Sequence, residues 1–89
     1  MKYKLTFDAK ALKALGKLDK PIAKRISSWL KENLANCENP RQFGEPLVGD
    51  MKGFWKYRIG DYRILADIND GIKIIEIVRV DHRKQVYNY

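Results

Sequence analysis

Phe54-Trp-Lys-Tyr-Arg-Ile-Gly-Asp-Tyr-Arg-Ile-Leu-Ala-Asp-Ile68 decides the fold of this chain. It predicts two β-strands joined by Gly60-Asp61. Gly at the first central position is the type II′ hairpin signal, and a two-residue loop leaves only one pairing register. Ile59 should then face Tyr62, Arg58 should face Arg63, Tyr57 should face Ile64 and Lys56 should face Leu65. Side chains alternate across a strand, so Trp55, Tyr57, Ile59, Tyr62, Ile64, Ala66 and Ile68 share one side. Lys56, Arg58 and Arg63 share the other, with Phe54 and Leu65 nearby. Like charges directly opposite each other destabilise a sheet. Arg58 across from Arg63, with Lys56 two residues along, therefore calls for negative charge on that face.

Working outward, Lys2 to Phe7 alternates Tyr3, Leu5 and Phe7 with Lys2, Lys4 and Thr6, the pattern of a half-buried strand. Asp8 is a good N-cap for a helix from Ala9, with Leu12 and Leu15 inward and Gly16 ending it. Pro21 suits the first turn of a second helix running to about Ala35, with Ile22, Ile26, Trp29, Leu30 and Leu34 on its apolar side. Asn36 to Met51, holding Pro40, Gly44, Pro46 and Gly49, reads as a loop, longer than most connections and of a kind that is often functional. Asn69-Asp70-Gly71 marks a second tight turn, and Ile72 to Val80 a strand apolar on both sides. The remainder, from Asp81 to Tyr89, holds at most one helical turn. The order β-α-α-β-β-β predicts a single α+β domain over residues 1–89. Its helical hairpin should cover one face of a mainly antiparallel four-stranded sheet.

Composition narrows the partner. The 89 residues include 18 Lys and Arg against 11 Asp and Glu, a net charge of +7, which points to a polyanion. No apolar run reaches the ~20 residues of a membrane span, and no signal peptide opens the chain. The one cysteine, Cys37, has no internal disulfide partner, and no Cys/His cluster has metal-ligand spacing. A cytoplasmic protein without metal or cofactor is the expectation.

The helices should cover the Trp55/Tyr57/Ile64 side and leave the cations open. Four features are expected to meet there: the Lys56, Arg58 and Arg63 set; Glu45 in the preceding loop; His82, Arg83 and Tyr87 from the tail; and Phe54 as a stacking surface for a base. Metal-free RNA cleavage uses such an inventory. A base takes the 2′-OH proton, cations stabilise the charge that builds on phosphorus, and an acid protonates the leaving 5′-oxygen. Arginine suits the phosphate because its planar fork bonds two oxygens at once. The simpler account is a wet sheet face, with Lys10, Lys13 and Lys17 as a solvated helix side.

Two strings bear on that choice: Pro46-Leu-Val-Gly-Asp-Met-Lys-Gly-Phe-Trp-Lys-Tyr-Arg-Ile-Gly-Asp-Tyr-Arg-Ile-Leu65 and Val80-Asp-His-Arg-Lys-Gln-Val-Tyr87. Together they resemble the RelE/ParE toxin superfamily, nearest the RelE branch. The resemblance implies a type II toxin that cleaves mRNA in the ribosomal A site, binding mRNA and ribosomal RNA. It also implies a hetero-oligomer with an acidic, RelB-like cognate antitoxin. It puts the basic catalytic positions on Lys56, Arg58 and Arg63, with Arg83 and Tyr87 in the tail. RelE carries Lys where this chain has Arg58, and arginine is no proton acceptor at neutral pH. Glu45-Pro46-Leu47 resembles the Glu-Pro-Leu of the YoeB toxins, and His82 stands nearest their tail His, so acid and base work is expected of Glu45 and His82. Lys10 and Lys13 are expected to grip RNA. A ParE-like gyrase poison and a non-catalytic nucleic-acid-binding module are the alternatives.

Overall fold

A computed structural model describes residues 2–82. In chain order the elements are β1 (Lys4–Phe7), α1 (Ala9–Gly16), α2 (Lys20–Asn33), β2 (Glu45–Pro46), β3 (Phe54–Ile59), β4 (Tyr62–Asn69) and β5 (Ile74–His82). Single 3-10 turns over Pro40–Phe43 and Gly49–Met51 break the long connection before β3.

The hairpin has the expected register, Ile59 to Tyr62, Arg58 to Arg63, Tyr57 to Ile64 and Lys56 to Leu65. Gly60 has φ +60° while Asp61 does not take a positive φ, as the type II′ turn requires. Around it the described sheet runs β1-β5-β4-β3-β2. β1 pairs with β5 in parallel and every other pairing is antiparallel. The sheet thus has five strands rather than four. The extra one is Glu45–Pro46, expected as loop, which pairs with Lys56 and Trp55 at the edge. Two residues are too few to show a period, and proline, lacking an N–H, is tolerated in a sheet at an edge.

Asp8 caps α1, its carboxylate accepting from the Lys10 N–H at 2.7 Å. The core lies between the helices and one side of the sheet. It joins Ala11, Leu15, Ile26, Leu30 and Leu34 to Tyr57, Ile59, Ile64, Ala66, Ile75, Ile77 and Val80. Leu12, expected inside, is 56% exposed. Ala11 and Leu15, one turn apart on the same stripe, face the sheet instead, and the small alanine lets the helix sit close.

The last turn also departs from expectation. Asp70-Gly71 is not a two-residue loop. Asn69 pairs with Ile74, and Asn69 Oδ1 accepts from the Gly71 and Ile72 N–H groups at 3.0 and 3.2 Å. The left-handed residue is Lys73, with φ +56°. β5 consequently starts at Ile74, not Ile72, and it ends at His82, not Val80. A β-bulge between Leu65 and Ala66 then shifts its pairing with β4 by one residue.

Candidate functional site

The side of the sheet away from the helices carries its side chains in rows set by the register. The row nearest the Gly60 turn is Arg58, Arg63 and Asp81. The next is Glu45, Lys56, Leu65 and Arg79, and a third is Phe54, Asp67, Glu76 and Thr6. The face is therefore split. Four cations and two carboxylates lie toward the Gly60 turn, and two further carboxylates lie toward the opposite end.

The sequence brings Glu45 to the cations through β2. Its Oε2 stands 3.6 Å from Lys56 Nζ and 4.0 Å from Arg58 Nη2. Lys56 is the more enclosed partner, its side chain 17% exposed against 60% for Glu45 and for Arg58. The like-charge pairing of Arg58 and Arg63 thus has a carboxylate at each flank, Glu45 from β2 and Asp81 from β5. Arg79 Nε donates to Asp81 Oδ2 at 2.8 Å.

Three contacts fix the loop that carries Glu45. Tyr57 is fully buried and its hydroxyl donates to the Pro40 carbonyl at 2.9 Å. Burial pushes the Tyr57 phenol well above its ordinary range. Gly44 passes so close to β3 that a Cβ there would lie 2.8 Å from the Lys56 carbonyl oxygen and 2.9 Å from the Tyr57 ring. Arg41 meets Asp70 through two bonds of 2.9 Å, while the Tyr3 hydroxyl donates to Asp70 Oδ1 at 2.5 Å. The Arg41 fork first, and the Tyr3 hydroxyl second, hold the Asp70 carboxyl at about 2. The same guanidinium lies 5.7 Å from the Trp55 ring centroid, within cation–π range.

The expected residues divide accordingly. Glu45, Lys56, Arg58 and Arg63 share one face, and Phe54 lies a row further on, beside Leu47, whose N–H donates to the Phe54 carbonyl at 3.0 Å. His82 does not join them. It pairs with Tyr62 and packs edge-on against that ring, centroids 5.1 Å apart. Alternation puts Tyr62 and His82 on the helix-bearing side while Arg63 and Asp81 occupy the other. Lys10 lines a groove of about 400 Å³ between α1 and β5, with Ala11, Ala14, Val78, Arg79, Val80 and Asp81. Lys13 is exposed on α1, outside that groove. Arg83 and Tyr87 lie outside the described residues.

Sequence reasoning missed Arg79 and Asp81. Unbulged pairing continued from Asn69 and Ile74 would put Arg79 opposite Ile64, on the helix side. The bulge re-aims it. No group of His, Cys, Asp and Glu among the described residues is arranged to hold a metal ion. No described helix is long and apolar enough to cross a membrane.

Comparison with known proteins agrees with this architecture. The family described as the ParE toxin of the type II toxin–antitoxin system, parDE, matches residues 5–87. The toxin RelE of Mycobacterium tuberculosis is 33% identical over 85 residues, covering 96% of this chain and 86% of that protein. The toxin RelG of the same organism is 32% identical, covering 98% of each. Among solved structures, the M. tuberculosis RelBE2 toxin–antitoxin complex contains a chain 31% identical, with a TM-score of 0.84 and 93% of each chain covered. A mutant of the Escherichia coli toxin RelE in its free state is 27% identical, with a TM-score of 0.74, covering 97% of this chain and 88% of that one. On sequence and fold together, this chain belongs to the RelE/ParE family of type II toxins.

Proposed function

We propose that this toxin is a metal-independent endoribonuclease that cuts mRNA in the ribosomal A site. The observation that carries the proposal is Glu45, held by an edge strand beside Lys56 and Arg58 on an open, basic sheet face. A carboxylate among cations supplies both halves of the chemistry. Glu45 takes the proton of the ribose 2′-OH as that oxygen attacks the adjacent phosphorus in line. Arg58 and Arg63 bond the phosphate oxygens as negative charge grows on them. The P–O5′ bond then breaks, leaving a 2′,3′-cyclic phosphate and a 5′-hydroxyl. The Lys56 ammonium, 3.6 Å from Glu45, gives a proton to the leaving 5′-oxygen in this scheme. Packed with Tyr62 across the sheet, His82 takes no proton in this scheme. Arg83 and Tyr87 enter it through the family resemblance alone.

Action on ribosomes places the protein in the cytoplasm. An acidic antitoxin segment laid over the basic face would silence it, a reading supported by the 31% identical relative seen in a toxin–antitoxin complex. The matching family description names ParE, which favours a gyrase poison as the second reading. That reading gives Glu45 no work beside Lys56. Primer extension on a translated message separates the two. The expected result is ribosome-dependent cleavage that leaves a cyclic phosphate, and gyrase-dependent DNA breaks with intact message overturn the proposal.

A further inference from the structure

The bulge in β5 does more than end a regular ladder. It turns Arg79 and Asp81 together onto the basic face, Arg79 in the row of Glu45 and Lys56 and Asp81 in the row of Arg58 and Arg63. Their ion pair of 2.8 Å is partly exposed, 45% for Arg79 and 19% for Asp81. Asp81 is thus the more enclosed partner and Arg79 the one that reaches toward solvent.

We infer that Arg79, oriented by Asp81, is a further RNA-binding residue that takes a phosphate next to the one being cut. The inference rests on the proposal that this face binds RNA. Arg79 is two strands away from Lys56, roughly 10 Å at the usual strand spacing, with fully buried Leu65 between them. That separation is too wide for one phosphate and suits a neighbouring group of the same strand. An unpaired carboxylate at such a place would repel the anion. Bonded to Nε, Asp81 instead fixes the plane of the guanidinium and offsets its own charge. The path does not stop there. β1 ends at Phe7, paired with Ile77, so β5 beyond that point borders the groove that holds Lys10. RNA leaving Arg79 over this edge meets a further cation.

Equilibrium binding of a single-stranded RNA with deoxyribose at the cleavage position tests this over a series of salt concentrations. Such an RNA cannot be cut, so the outcome does not depend on the catalytic scheme, which Glu45→Gln tests separately on ribosomes. Arg79→Ala should weaken binding about ten-fold and flatten the log–log salt slope by about 0.7, one single-strand phosphate contact. Arg79→Lys should keep the slope and lose affinity, because an ammonium has no fork for Asp81 to align. Asp81→Asn should also weaken binding although it makes the protein more positive. Unchanged slope and affinity in Arg79→Ala, or tighter binding in Asp81→Asn, overturns the inference. Near-ultraviolet circular dichroism of each variant confirms that the compared proteins are folded.

Discussion

Glu45 is mostly exposed, yet its place is set by residues that never reach the open face. Replacing it with glutamine keeps the shape and removes the proton acceptor. Ribosome-dependent cleavage by Glu45→Gln, followed by primer extension, should fall by about 10²–10⁴-fold with an unchanged thermal midpoint. Arg63 has Arg58 and Asp81 directly opposite it on the flanking strands, at the middle of its row. Arg63→Ala should abolish growth arrest on induction while leaving the far-ultraviolet spectrum intact; full toxicity would remove Arg63 from the phosphate clamp. Tyr57 is the buried counterpart. Tyr57→Phe deletes the donor to the Pro40 carbonyl and should cost about 1–3 kcal/mol in urea unfolding, since the acceptor is left inside without a partner. At this scale the sequence was informative wherever alternation applied. The cations and Glu45 could be named from the strand period and the loop. His82 could not be placed, because its side of the sheet depends on a bulge that no residue type in Ile74–His82 announces.

The connection from α2 to β3 shows what the elements add. Its charged link, Arg41 to Asp70, spans 29 residues and joins two turns that sequence reading treats independently. Asp70 is held near 2, below its ordinary 3.8, so the contact contributes fully above about pH 4 and is lost as pH falls through about 2. Wild-type unfolding should therefore steepen with acid between those values. Asp70→Asn should lack that part of the pH dependence, as urea midpoints from pH 5 to pH 2 would reveal. Gly44→Ala tests the same loop from the other end. With the β3 backbone 2.8 Å from the new methyl, β2 must pull away and take Glu45 with it. Cleavage should drop in that variant even where the protein remains folded. The hairpin was legible because a two-residue turn admits one register. β2 was not, since a two-residue strand has no period to read, and the Asp70 turn misled because Asn69 builds an Asx-type turn and Lys73 takes the left-handed conformation.

Taken whole, the molecule separates its tasks by side. One side of the sheet is apolar and covered by α1 and α2; the other is charged and itself divided, basic near Gly60 and acidic around Asp67 and Glu76. The net charge of +7 thus overstates how evenly RNA would be attracted. The family relation, the α+β class and the helix-covered side could all be anticipated from 89 residues, because hydrophobic period and turn chemistry agree along most of the chain. The two-ended character of the open face could not, as it depends on how β5 lines up with β4.

The parallel pairing of β1 with β5 joins the first strand to the last of the described chain, and β5 lies inside the sheet between β1 and β4. During synthesis that interior place is filled last among the described strands. Until Ile74–His82 emerges, β1 lacks its partner and Ile64 and Ala66 lack the neighbours that complete their layer. Contacts between distant parts of a chain also form slowly. A nascent chain is therefore expected to leave this sheet unfinished until Ile74–His82 has been made.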